Sequence, residues 1–110
     1  MRRSSVVSGV VLVFGGMLAF QTPASAASFT TIDFPGATNT YPGAISSQGD
    51  IVGGYPVPGR THGFLLVGGT FTTVDSPGST STFLSGISPT GQMVGEYCDG
   101  SGCHGMIVTS

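Results

Sequence analysis

Hydrophobic and polar positions fall into two regimes along the chain. Residues 6–20 are an uncharged, mostly apolar run, preceded by Arg2 and Arg3 and closed by Gln21-Thr22-Pro23. From there on, apolar stretches are short and are broken by Gly, Pro, Ser and Asp. Ile51-Val52 and Phe64-Leu65-Leu66-Val67 are consecutive apolar residues, the pattern of strands covered on both faces of a sheet. The spacing predicts four strands, over residues 43–47, 51–55, 61–67 and 70–75. Gln48-Gly49-Asp50 reads as a turn and residues 56–60 as a Pro-Gly-rich loop. Gly68-Gly69 reads as a two-residue hairpin turn, since glycine takes positive φ freely at both positions. Beyond residue 26 no segment has helical periodicity.

The apolar run at the N-terminus reads as a cleavable signal peptide. A spanning helix needs about 20 apolar residues, and this run has 15, with glycines at 15 and 16. Ala24-Ser25-Ala26 supplies the small residues that signal peptidase accepts, which places cleavage after Ala26. The expected mature chain is residues 27–110, secreted or periplasmic, with no stable membrane insertion after cleavage.

The strand-rich part is an internal repeat. Phe29-Thr30-Thr31-Ile32-Asp33 returns 42 residues later as Phe71-Thr72-Thr73-Val74-Asp75. The same offset relates Pro35-Gly36 to Pro77-Gly78, Ile45-Ser46 to Ile87-Ser88 and Gly49 to Gly91. It also relates Val52-Gly53 to Val94-Gly95, Tyr55 to Tyr97 and His62-Gly63 to His104-Gly105. The repeat-bearing segments are 29–70 and 71–110. The fold expected is all-β: two tandem four-stranded antiparallel blade-like units of 42 residues, β-propeller-like and incomplete as a single chain. Residues 29–33 would be a fourth strand standing alone, and residues 105–109 a third strand of the second unit. Because a propeller closes with about four to eight blades, self-association into a homo-oligomer is expected if the gene is intact. The alternative is a fragment of a longer propeller.

The pattern Gly63-Phe64-Leu65-Leu66, Gly68-Gly69, Thr70-Phe71-Thr72-Thr73-Val74-Asp75, Pro77-Gly78 resembles the bacterial extracellular repeat of the HAF type. So does its continuation, Gly86-Ile87-Ser88, Gly91-Gln92-Met93-Val94-Gly95, Tyr97 and His104-Gly105. The resemblance covers the whole of residues 27–110. It implies propeller-like blades in a secreted bacterial protein and carries no particular activity. The family's His-x-Phe element stands as His62-Gly63-Phe64 in the first unit and as His104-Gly105-Met106 in the second.

Charge narrows the partners. The chain has no lysine, and residues 27–110 hold Arg60 alone against Asp33, Asp50, Asp75, Glu96 and Asp99, a formal charge of −4. Binding nucleic acid requires cations that displace counterions from phosphates, so none is expected, and an anionic membrane surface is disfavoured on the same ground. A glycan or surface ligand fits better.

The candidate chemistry is sparse. Cys98 and Cys103 replace Pro56 and Thr61 of the first unit, positions that face each other across a loop, and in an exported chain they should form a disulfide. The enclosed loop is short, so about 2 kcal/mol of stabilisation is expected. His62 and His104 are the only histidines; one per unit, they read as hydrogen-bonded structural residues before ligands or general bases. His62, His104, Tyr55, Tyr97 and Arg60, with Tyr41 and Phe83, are the candidates for a ligand pocket. Asp33 and Asp75 precede Pro-Gly turns and read as turn caps. A G-x-G-x-x-G match at Gly100–Gly105 lacks the helix that phosphate binding needs. Nor is Cys98-x4-Cys103-His104 a haem site, because His62 holds the same place without cysteines. No cofactor, metal or catalytic residue is expected, and the chain reads as a binding or interaction module, or a structural repeat protein, with no enzymatic activity.

Overall fold

The computed structural model describes residues 26–109. The predicted signal peptide, residues 1–26, therefore lies outside the described residues except for Ala26. The chain divides into Met1–Thr30 and a compact unit, Thr31–Ser110. Of the former, residues 26–30 are described; they belong to no strand.

Thr31–Ser110 is built from seven strands: β1 (Tyr41–Ile45), β2 (Ile51–Val57), β3 (Arg60–Val67), β4 (Thr70–Val74), β5 (Ser81–Ile87), β6 (Met93–Asp99) and β7 (Gly102–Val108). No described residue is helical. The strands form one open, mostly antiparallel sheet in the order β1-β2-β3-β5-β6-β7, with β4 on β3. β4 pairs with Gly63 to Val67, whereas β5 meets β3 in parallel at the single pair Thr61↔Ser81. The sheet forks at that point, and β5 packs across β1 and β2.

The 42-residue period is visible in the hydrogen bonds. Ser46 N–H donates to Asp50 O at 2.8 Å, and Ser88 N–H to Gln92 O at 2.8 Å. Phe34 N–H donates to Thr40 Oγ1 at 2.9 Å, and Ser76 N–H to Thr82 Oγ1 at 3.3 Å. The β1–β2 ladder bulges between Pro42 and Ala44, the β5–β6 ladder between Leu84 and Gly86. A bulge disrupts the ladder locally and bends its strand. A Cβ at Gly53 would overlap the carbonyl of Tyr41, and one at Gly95 would overlap that of Phe83. This explains why Val-Gly recurs in both units.

Every strand read from the sequence has different limits in the structure: β1 is Tyr41–Ile45 where 43–47 was expected, and β4 stops at Val74 where 75 was expected. Residues 29–33 form no strand, because a strand exists only where a ladder satisfies its amides and carbonyls and no described strand pairs with them. The expected loop 56–60 shrinks to Pro58-Gly59, since β2 runs on through Val57 and pairs with Arg60. The expected strand 105–109 starts earlier, at Gly102, because Cys98↔Cys103 and Asp99↔Gly102 extend the β6–β7 ladder. The Gly68-Gly69 hairpin is as expected, with φ of 56° and 86°.

Two apolar layers result. On one face of β1–β4, Phe34 stacks on Tyr55 with ring centroids 3.7 Å apart, and Phe34, Phe64 and Phe71 meet edge-on or tilted. On the other face, Val52 packs with Leu84 and Met93, bordered by Ala44, Leu65, Val74, Ile87, Met106 and Val108. Side chains alternate along a strand. The face of β5–β7 turned to this core therefore corresponds, unit for unit, to the aromatic face of β1–β4. Alanine at Gly53 or Gly95 should lower the unfolding free energy by about 2 kcal/mol through overpacking against backbone. Alanine at Gly100, where nothing lies within 4 Å, should change it little; urea unfolding of the three variants checks this.

Candidate functional site

β3 and β4 bring Arg60, His62 and Asp75 together at one end of the sheet. Asp75, just past β4, accepts from His62 Nδ1 at 2.6 Å and from the Gly63 amide at 3.2 Å. A carboxylate only accepts, so Nδ1 carries the proton. Arg60 Nη2 lies 3.6 Å from Asp75 Oδ2 and donates to the Ser79 carbonyl at 3.1 Å. Its Nε is buried without a partner among the described residues. The Asp75 carboxylate therefore bonds to β3 and to Arg60 and does not cap the Pro77-Gly78 turn. It ties the end of β4 to β3, a role visible in the sequence only as the recurrence of Asp at the end of each Phe-Thr-Thr motif.

Tyr55 faces His62 across the β2–β3 ladder, with ring centroids 5.1 Å apart, and Tyr97 faces His104 in the same way at 5.0 Å. Tyr55 is only 7 % exposed, and its hydroxyl shares a hydrogen bond of 2.7 Å with Thr73 Oγ1. With Phe34 on its face, it offers no ring surface to a ligand. Tyr97, His104 and Arg60 remain partly open. Tyr41 is exposed, and Phe83 lies against Gly54, where an added Cβ would come within 2.7 Å of its ring.

The second unit closes its histidine differently. No strand equivalent to β4 lies beside β7 among the described residues, and His104 Nε2 sits 3.3 Å from Asp99 Oδ1 and 3.2 Å from Ser101 Oγ. The Ser101 hydroxyl and amide both donate to Asp99 at 2.8 Å. These bonds, with a smaller contribution from His104, hold the Asp99 carboxyl below the usual carboxylate range. A lowered carboxyl stabilises the fold above its ordinary pKa, and the benefit fades as pH falls through the lowered value. The Sγ atoms of Cys98 and Cys103 lie at disulfide distance, 2.01 Å, across the same hairpin. Pro56↔Thr61 and Cys98↔Cys103 are indeed facing pairs in the two units.

Chemically, the His62–Asp75 pair orients an imidazole, leaving Nε2 as the free ring nitrogen. Among the described residues no Ser, Thr or Cys side chain hydrogen-bonds to that nitrogen, and no group of three or more His, Cys, Asp or Glu is placed to hold a metal ion. A groove of about 320 Å³ runs between residues 74–77, at the end of β4, and residues 106–109 of β7 and just beyond it.

Comparison with protein-family models, curated proteins and solved structures found no match to this chain.

A double-mutant cycle on His62→Ala and Asp75→Ala should give a coupling of about 1.5 kcal/mol, as for a hydrogen bond to a charged group. The cycle on His104→Ala and Asp99→Ala should give a smaller coupling, since that contact is longer and more exposed. Equilibrium unfolding at neutral pH checks both.

Proposed function

We propose that this is an exported β-repeat protein whose two units are propeller-like blades of the HAF kind, and that it works as a self-associating binding module. The observation that carries the reading is the unequal treatment of equivalent surfaces. Val52 is fully buried at 0 % exposure, while Val94, its counterpart, is 46 % exposed, and Ile107 beside it is 68 % exposed. A repeat buries its apolar face only against a neighbour, and these two residues sit in water on the side where a further neighbour would stack. Tyr97, His104 and Arg60, which stay partly open, are the side chains through which a bound glycan or surface ligand would be held. The reading does not extend to nucleic acid, for which Arg60 alone is too little positive charge.

The test is the full chain expressed with its own N-terminus and recovered after export. Mass spectrometry should find Ala27 as the first residue, and light scattering should find a discrete oligomer. A monomer at all concentrations would contradict the reading.

A further inference from the structure

In the first unit, β3 carries a strand on each side, β2 and β4. Its counterpart β7 carries β6 on one side and, among the described residues, no strand on the other. The sequence of β4 and its following aspartate, Phe71-Thr72-Thr73-Val74-Asp75, has one other copy in the chain, Phe29-Thr30-Thr31-Ile32-Asp33. That copy is in no strand, Asp33 is exposed, and Phe29 is 93 % exposed. Among the described residues, a β4-like segment has no ladder and the outer edge of β7 has no partner, and the two match in sequence the pair β4 and β3.

We infer that the segment Phe29-Thr30-Thr31-Ile32-Asp33 of one molecule adds, antiparallel, to the outer edge of β7 in a second molecule. The inference rests on the self-association proposed above and names its contact. Shifting the β3–β4 register by the repeat length of 42 places Ile32 opposite Gly105, as Val74 is opposite Gly63. Thr31 then faces Met106, Thr30 faces Ile107 and Phe29 faces Val108.

Three further features agree. The groove beside β7, about 320 Å³ between residues 74–77 and 106–109, lies where the added strand would run. Phe71 packs its ring 5.5 Å from that of Phe64, and the counterpart of Phe64 is Met106, so Phe29 would enter the groove over Met106. His62 Nδ1 and the Gly63 amide both bind Asp75. The corresponding His104 Nδ1 and Gly105 amide make no hydrogen bond to the described residues, and Asp33 would take both.

The donor belongs to a second molecule. Phe34, which follows Asp33, is stacked on Tyr55 on the face of β1–β4 turned away from β5–β7. The sheet itself therefore stands between Asp33 and β7 of the same chain. The edge is also a better seat than the open face of β5–β7. There Ser85 and Glu96 replace Gly43 and Gly54, the positions at which β5 comes too close for a Cβ in the first unit. A neighbour stacked on that face must stand farther off than β5–β7 stand from β1–β4.

The test mixes two exported variants of the full chain, each keeping the Cys98–Cys103 disulfide and carrying one added cysteine, Thr30→Cys and Ile107→Cys, under mild oxidation, with linked peptides read by mass spectrometry. Both positions are exposed, so the variants should fold. The expected result is a covalent heterodimer joined through 30 and 107. Its yield should exceed by about tenfold that of Thr30→Cys mixed with Ser85→Cys, since a disulfide requires Cα atoms within about 7 Å. Light scattering of Phe29→Asp should show dissociation to monomer. If the wild type is an oligomer that neither cross-links at these positions nor dissociates in Phe29→Asp, the strand addition is overturned while self-association stands. Linkage found only within one chain of a double variant overturns it as well. A monomeric wild type overturns both.

Discussion

Glycine at 43, 54 and 63 leaves one face of β1–β4 without Cβ atoms where β5 crosses it. The close approach this allows brings Leu84 and Met93 onto Val52. A side chain at Gly43 would overlap the Leu84 carbonyl, and one at Gly63 would come within 3.0 Å of the Thr82 methyl. The core of a unit this small depends on that approach. Val52, Phe64, Leu84 and Met93 are the large apolar side chains with essentially no exposure, and three of those four meet at this contact. Strand β5 therefore does two things at once. It packs across β1 and β2 and begins the second copy of the 42-residue repeat.

The same constraint makes the two units unequal. With Ser85 and Glu96 in place of Gly43 and Gly54, a neighbour on that face must stand farther off than β5 stands from β1–β4, and Val94 and Ile107 are exposed. The polar chemistry follows suit. In the first unit the fourth strand delivers Asp75 to His62, with Arg60 alongside, and Tyr55 is sealed under Phe34. In the second, His104 turns to Asp99 and Ser101 in a hairpin held by Cys98 and Cys103. Among the described residues the disulfide stands in the unit without a fourth strand, where it ties β6 to β7 covalently.

Much of this was legible in the sequence because turns and repeats speak through a few residue types. The Gly68-Gly69 hairpin, the facing positions 98 and 103, and the 42-residue correspondence of the turn hydrogen bonds all follow from residue identity and a fixed spacing. What was not legible depended on partners distant in the chain. The Phe-Thr-Thr-Ile-Asp motif at 29 announces a strand, but strandhood needs a ladder, which sequence cannot guarantee. The link between Asp75 and His62 spans β3 and β4, so the aspartate looked like a turn cap. Tyr55 looked like a ligand platform because nothing in the pattern around residue 34 shows that Phe34 folds back over it. The fork at Thr61↔Ser81, where β5 joins the sheet through one residue pair, has no sequence signature at all.

Amide hydrogen exchange along β7 tests the central claim most directly, because it reads the edge itself. The Gly63 amide points toward the end of β4. Backbone donors alternate along a strand, so the amides of Gly105 and Ile107 point to the outer edge of β7. If that edge is completed by a second molecule, both amides exchange slowly in concentrated protein, as Gly63 and Leu65 do, and lose protection on dilution. Fast exchange of Gly105 and Ile107 at every concentration, beside protected Gly63 and Leu65, would contradict the account.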